Sequence, residues 1–175
     1  MDAQGRPTGR QCLKSEAHRK GLLHPTVHIW FFTGDAKVLL QQRGRFKDTH
    51  PLLWDVSVAG HVGSGESITA AAVREVWEEI GLEIEESDLI PIGTSKKVHR
   101  ISKDFVDAEF HHLFLCELRV PLGELRKQKS EVESLELLSL LKFAEESWGM
   151  AKPAKYVPHG PSYYQRIIKE IKNRI

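Results

Sequence analysis

The apolar positions change period along the chain, and each change marks an element. Residues 24–33 (HPTVHIWFFT) and 37–43 (KVLLQQR) are rich in β-branched and aromatic side chains and meet at Thr33-Gly34-Asp35-Ala36, which predicts a hairpin. RGRFKDTHPLL follows as a basic loop, and residues 54–59 (WDVSVA) alternate and run into Gly60, predicting a strand. The period then becomes helical. Val73, Val76, Trp77 and Ile80 recur at i, i+3, i+4 and i+7 and form the expected buried stripe of a helix that Ser67 caps and Gly81 ends. Residues 89–99 and 105–118 predict two further strands turning at Ser102-Lys103-Asp104, and residues 134–138 a short strand before a helix beginning near Ser139. Pro153, Pro158 and Pro161 mark a looped approach to PSYYQRIIKEIKNRI, where Ser162 is the expected N-cap and Tyr164, Ile167, Ile168, Ile171 and Ile175 share one stripe. Core packing is the simplest use of that stripe, and a homodimer surface is the other. Strands and helices intermix without a regular βαβ repeat, which favours an α+β sandwich, a single domain over residues 1–175.

A chain of 175 residues that is 41% hydrophobic has material for one core. Its 25 basic and 24 acidic residues nearly cancel, so no overall field recruits nucleic acid or an anionic membrane. The first residues, MDAQGRPTGRQCLKSEAHRK, contain no apolar core of a signal peptide, and no later run approaches the ~18 apolar residues of a membrane span. The expectation is an unexported, cytoplasmic protein. Cys12 and Cys116 form neither a disulfide framework nor a Cys-based zinc site and read as reduced thiols.

Against this balanced background the helix of residues 67–81 crowds acids. Glu75, Glu78 and Glu79 stand at i, i+3 and i+4, on one side and roughly opposite the predicted stripe, with Glu66 in the loop before them. Like charges at this spacing repel. A solvated face with Arg74 paired to Glu78 is the ordinary explanation. The full pattern says more: Gly60, five residues, Glu66, seven residues, then REVWEEIGL, which at every fixed position resembles the signature of the Nudix hydrolase superfamily. The resemblance implies an α/β/α sandwich with a mixed sheet and a loop-helix-loop catalytic motif. It also implies Mg²⁺- or Mn²⁺-dependent cleavage of a diphosphate linkage in a nucleoside-diphosphate derivative or other organic pyrophosphate. Carried over by position, Glu75 and Glu79 match the principal metal ligands, Glu78 a further ligand or the water-activating carboxylate, Glu66 a supporting ligand, and Arg74 the residue that orients the neighbouring glutamate. Hard cations want several oxygens, which a rigid helix supplies, and the loop glycines let a backbone carbonyl, that of Gly60, face the ion. A downstream carboxylate, Glu109 or Glu131, is the other candidate for general base.

Beyond the signature, AHRKGLLH, the hairpin, LLQQR, WDVSVAGH and DFVDAEFHHLF resemble Nudix proteins related to type I isopentenyl-diphosphate isomerase. That isomerase carries a catalytic cysteine two residues before the histidine that here is His61, and this chain has Ala59 there. Alanine supplies neither acid nor base, so hydrolysis is expected over isomerisation. A non-catalytic nucleotide or pyrophosphate sensor is a third reading, though a sensor has no need of the full glutamate set. The same ancestry implies a second, transition-metal site from His18, His24, His61, Asp107 and Glu109; simple hydrogen bonding of these histidines is the alternative. Arg43, Arg45 and Lys47 either clamp substrate phosphates or are solvated loop charges. Trp30, Trp54 and Phe110 either line a cleft for a base or prenyl group or belong to the core.

Overall fold

The computed structural model describes residues 1–147 and 154–175, so Pro153 of the proline-rich approach lies outside the described residues. The chain runs α1 (Lys14–Lys20), β1 (His24–Thr33), β2 (Lys37–Arg43), β3 (Trp54–Asp55), β4 (Val58–His61), α2 (Ile68–Ile80), β5 (Ile90–Ser102), β6 (Phe105–Glu117), β7 (Val132–Ser139), α3 (Leu140–Ser147) and α4 (Pro161–Lys172). Seven strands form one mixed sheet in the order β3-β2-β1-β6-β5, with β4 added to β1 and β7 to β2. β1 and β6 are parallel, with His24 opposite Glu109 and Phe32 opposite Glu117. On its other side β1 pairs first with β4 (Thr26–Ile29) and then with β2 (Phe32, Thr33), so this edge divides.

Strand alternation sorts the two faces. Val27, Ile29, Phe31 and Leu39 pack with Ala71, Ala72, Val76 and Ile80 of α2. Trp30, Phe32, Leu40, Leu113 and Leu115 pack with Phe143 of α3 and Tyr164, Ile167, Ile168 and Ile171 of α4. The sheet is thus covered on both faces, the expected sandwich. Ile167 and Ile171 are fully buried, each contributing about 2 kcal/mol by burial of apolar surface. Except for Ile175, 48% exposed, the C-terminal stripe faces its own core, so core packing is its use.

Local details differ from expectation for identifiable reasons. The predicted strand 54–59 is two, β3 and β4, because Asp55 turns its carboxylate to the Val56 amide (2.8 Å) and Ser57 bridges to the Phe31 amide and Leu39 carbonyl. Helix α4 is capped at Gly160 with Pro161 at N1, not at Ser162. Helix α1 was not predicted, being too short for a periodic signal. In α2 the caps are as expected: Ser67 Oγ accepts from the Ala70 amide at 3.0 Å and Gly81 is left-handed. Its buried face is not. Trp77 is 54% exposed and Val73 only partly covered, while Ala71, Ala72 and Glu79 turn inward. Small alanines bring the helix close to the sheet, and Glu79 reaches polar partners there. Trp30 is wholly buried in the core, settling its alternative.

Candidate active site

Where β1 exchanges β4 for β2, Glu79 enters the divided edge. Its Oε2 accepts from Gln41 Nε2 of β2 (2.7 Å) and from the Ala59 amide of β4 (3.3 Å). Burial pushes its carboxyl up to about 8, against the Gln41 hydrogen bond. Glu75 lies against Gly60 so closely that a Cβ there would stand 1.8 Å from its Cδ; only glycine admits this approach. Burial raises the Glu75 carboxyl too, opposed by Arg74.

Arg74 ties the acidic group together. It donates to Glu66 (2.9 and 3.0 Å), Glu75 Oε1 (2.8 Å), Glu78 Oε2 (3.0 Å) and the His61 carbonyl (2.9 Å). Glu66 also accepts from the Gly63 amide (2.8 Å), and Arg74 holds its carboxyl below the usual range against a small burial penalty. The expected Arg74–Glu78 pair is present, as one arm of a larger fork. Glu78 is the most exposed of the four carboxylates.

The same cavity, of about 430 Å³, is also lined by members of an imidazole cluster. His18 comes from α1, His24 from the start of β1, His61 from the end of β4, and Asp107 and Glu109 from alternate positions of β6. His18, His24 and His61 each bring a ligand atom within 4.8 Å of the others, as do His24, Asp107 and Glu109. His18 Nε2 is 3.8 Å from Asp107, and the Nε2 atoms of His24 and His61 are 3.9 and 3.6 Å from Glu109 Oε1, too long for hydrogen bonds. All three Nε2 atoms are buried without a partner. His24 Nδ1 donates to the Leu22 carbonyl (2.9 Å), which leaves its Nε2 lone pair free. Burial, with Lys14 and the neighbouring histidines, brings His61 down to about 2; burial and Asp107 push Glu109 up.

The cavity reaches further than sequence reasoning did. His28, His111, His159, Asp55 and Lys97 also line it. The even-numbered positions of β1 could have indicated His28, since Thr26 and Trp30 share its face; nothing in the sequence pointed to His159, which reaches Asp55 (2.7 Å) across 104 residues. Lys97 stands opposite Glu109 in the β5–β6 ladder, its ammonium lowered by burial. Of the basic loop, Arg43 and Lys47 line the cavity; Arg43 binds Asp55 (3.0 Å) and Thr49, and Lys47 pairs with Glu131. Arg45 turns to Glu133 (2.5 Å) and is not a cavity residue. Neither Trp54 nor Phe110 lines the cavity; Phe46 and Phe105 do.

Residues 22–159 match the family model of the NUDIX domain. The chain belongs to the NUDIX family. It is 36% identical over 197 residues to an uncharacterized Nudix hydrolase of Clostridium acetobutylicum, covering 98% of this chain and 94% of that one. It is 32% identical over 163 residues to an isopentenyl-diphosphate Delta-isomerase of Streptomyces avermitilis, covering 85% and 80%. Taken together, the hydrolase and isomerase likenesses place it in the isomerase-related branch of Nudix proteins. Among solved structures, the fold is like that of an E. coli dihydroneopterin triphosphate pyrophosphohydrolase, with TM-score 0.62, 20% identity and coverage of 85% and 95%. Among the described residues no helix is long and apolar enough to cross a membrane.

Proposed function

We propose that this Nudix protein is a Mg²⁺- or Mn²⁺-dependent hydrolase of a diphosphate linkage, acting on a small nucleoside-diphosphate derivative or other organic pyrophosphate. The observation that carries the reading is the pair Glu75 and Glu79. One carboxylate is seated in a cradle that any Cβ would fill, and the other is buried with only uncharged hydrogen-bond donors. Glu75 already pairs with Arg74, but an ionised Glu79 is costly there unless a further cation joins it. The donor set, Glu75 and Glu79 with Glu66, Glu78 and the Gly60 carbonyl, is oxygen throughout, which suits a hard dication. When bound, that ion polarises a phosphoryl oxygen and acidifies water.

The protein's own groups do the rest. Arg74 aligns Glu66 and Glu75. Arg43 and Lys47 face the cavity and hold substrate phosphates, with Arg45 left to its surface pair. Glu78, the most exposed carboxylate of the signature, takes the proton from the attacking water. Glu109 is better suited to the imidazole cluster, and Glu131, which pairs with Lys47, lies outside the helix that carries the other carboxylates. The cluster of His18, His24, His61, Asp107 and Glu109 is a second site, whose mixed nitrogen and oxygen donors favour Zn²⁺, Mn²⁺ or Fe²⁺. Its orphaned Nε2 atoms support this reading over ordinary hydrogen bonding. Ala59 in the cavity leaves the isomerase without its acid or base.

The test is incubation with Mg²⁺ and a panel of organic diphosphates, following released phosphate and monophosphate with and without chelator. Chelator-sensitive release is expected. Rearranged but unhydrolysed isopentenyl diphosphate would identify an isomerase, and binding without turnover a sensor.

A further inference from the structure

Beside Ala59 the cavity lining includes polar groups whose orientations are fixed by their partners. Trp30 Nε1 donates to Tyr163 Oη at 3.0 Å. Tyr163 Oη lies 2.7 Å from His28 Nδ1, and all three side chains are buried. Indole can only donate. The tyrosine hydroxyl, having accepted from Trp30, satisfies its own proton by donating to His28 Nδ1. That relay fixes the neutral His28 tautomer with its proton on Nε2, and His28 lines the cavity. His111 stacks on His28 with ring centroids 4.1 Å apart; its Nδ1 is bonded to Thr26 Oγ1 (2.8 Å) and its Nε2 is buried without a partner. His159 gives Nε2 to Asp55 and leaves Nδ1 buried and unpartnered. Ala59 faces His28 across the β1–β4 ladder.

We propose that His28, oriented by Tyr163, is the hydrogen-bond donor that recognises the organic half of the substrate, and that this half is a polar, acceptor-bearing nucleoside or sugar and not an isoprenyl chain. The inference rests on the diphosphate reading above and separates this chain from relatives that bear the isomerase name. A hydrocarbon against His28 would desolvate its Nε2–H without replacing the hydrogen bond, whereas an oxygen or nitrogen of a nucleobase or sugar accepts from it. Sites built to hydrogen-bond a substrate reject the analogue lacking the group by up to roughly 10⁴-fold.

The experiment is calorimetric titration of the full chain with Ca²⁺ in place of Mg²⁺, using probes that all carry a terminal diphosphate: ADP for a nucleoside, phosphoribosyl diphosphate for a sugar, and isopentenyl and geranyl diphosphate. At least one polar probe is expected to bind about 30-fold or more tightly than either isoprenyl probe. His28→Leu should cut that ratio by about tenfold or more, Tyr163→Phe by less, and His28→Gln, whose amide can donate, should restore most of it. Thermal melts establish that each variant is folded, and the wild-type ratio decides alone if one is not. Isoprenyl binding equal to or tighter than polar binding, no measurable polar binding, or equal shifts for all ligands in His28→Leu overturns the proposal. Polar preference without hydrolysis in Mg²⁺ overturns the hydrolase reading and leaves this one standing.

Discussion

Two clusters of ionisable side chains, one of carboxylates and one of imidazoles, contribute to one cavity, and they handle their charge in different ways. From α2, Arg74 spreads its single positive charge over Glu66, Glu75 and Glu78, so the three carboxylates share one counter-charge. On the sheet, His18, His24 and His61 present buried Nε2 atoms to each other and to Glu109 without a hydrogen bond. Burial keeps these imidazoles neutral, whereas Glu66, Glu75 and Glu78 rely on the counter-charge of Arg74, and Glu79 is set by burial. The difference teaches where each cluster is vulnerable: the first when its geometry is disturbed, the second when its imidazoles are removed.

The largest effect is expected at Glu79. Glu79→Gln should lower Mg²⁺-dependent turnover by about 10³-fold, since it removes charge without volume. In metal-free protein the same change should stabilise. The folded carboxyl titrates at about 8, above its unfolded value of about 4.3, so the folded state binds more protons and wild type loses stability as pH rises between these values. The melting difference between variant and wild type should therefore widen from about pH 4 to 8 and level off above. A constant difference would contradict the burial assigned to Glu79.

Gly60→Ala should cost about 100-fold in turnover, because the new Cβ displaces Glu75 by more than its position tolerates. Raised Mg²⁺ should recover part of the loss; wild-type kinetics would remove the cradle. For the imidazole side, His24→Ala with His61→Ala should reduce transition metal retained through purification from about one ion per chain to under about 0.1, measured by elemental analysis. Equal contents would return these histidines to a structural role. Smallest of all, Trp77→Ala should change unfolding free energy by about 0.5 kcal/mol, against about 2 kcal/mol for Val76→Ala, by denaturant titration. The reverse order would restore the stripe expected from periodicity.

That last pair shows what was legible and what was not. The caps Ser67 and Gly81, the hairpin and the acidic signature are local chemistry, and reading them needs only nearby residues. The face of α2 was misjudged because periodicity ranks residues by hydrophobicity, whereas Glu79 is drawn inward by Gln41 and the Ala59 amide, partners contributed by other strands. The same holds in the cavity. His24, His61 and Glu109 could be singled out from segments with a known likeness, but Asp55 meets His159, and His28 meets Tyr163, only through the tertiary fold. Arg45 looked equivalent to Arg43 and Lys47 in a run of basic residues, and only the position of Glu133 distinguishes it.

The parallel ladder between β1 and β6 carries a consequence for how the molecule comes into being. It places His24 beside Glu109, so the imidazole cluster joins segments far apart in the chain, whereas the acidic cluster is contained almost entirely between Gly60 and Glu79. Contacts between distant segments must overcome the entropy of closing a long loop before any gain returns. In refolding, the glutamate helix can therefore acquire its shape early, while the imidazole cluster is assembled only once the centre of the sheet has zipped together.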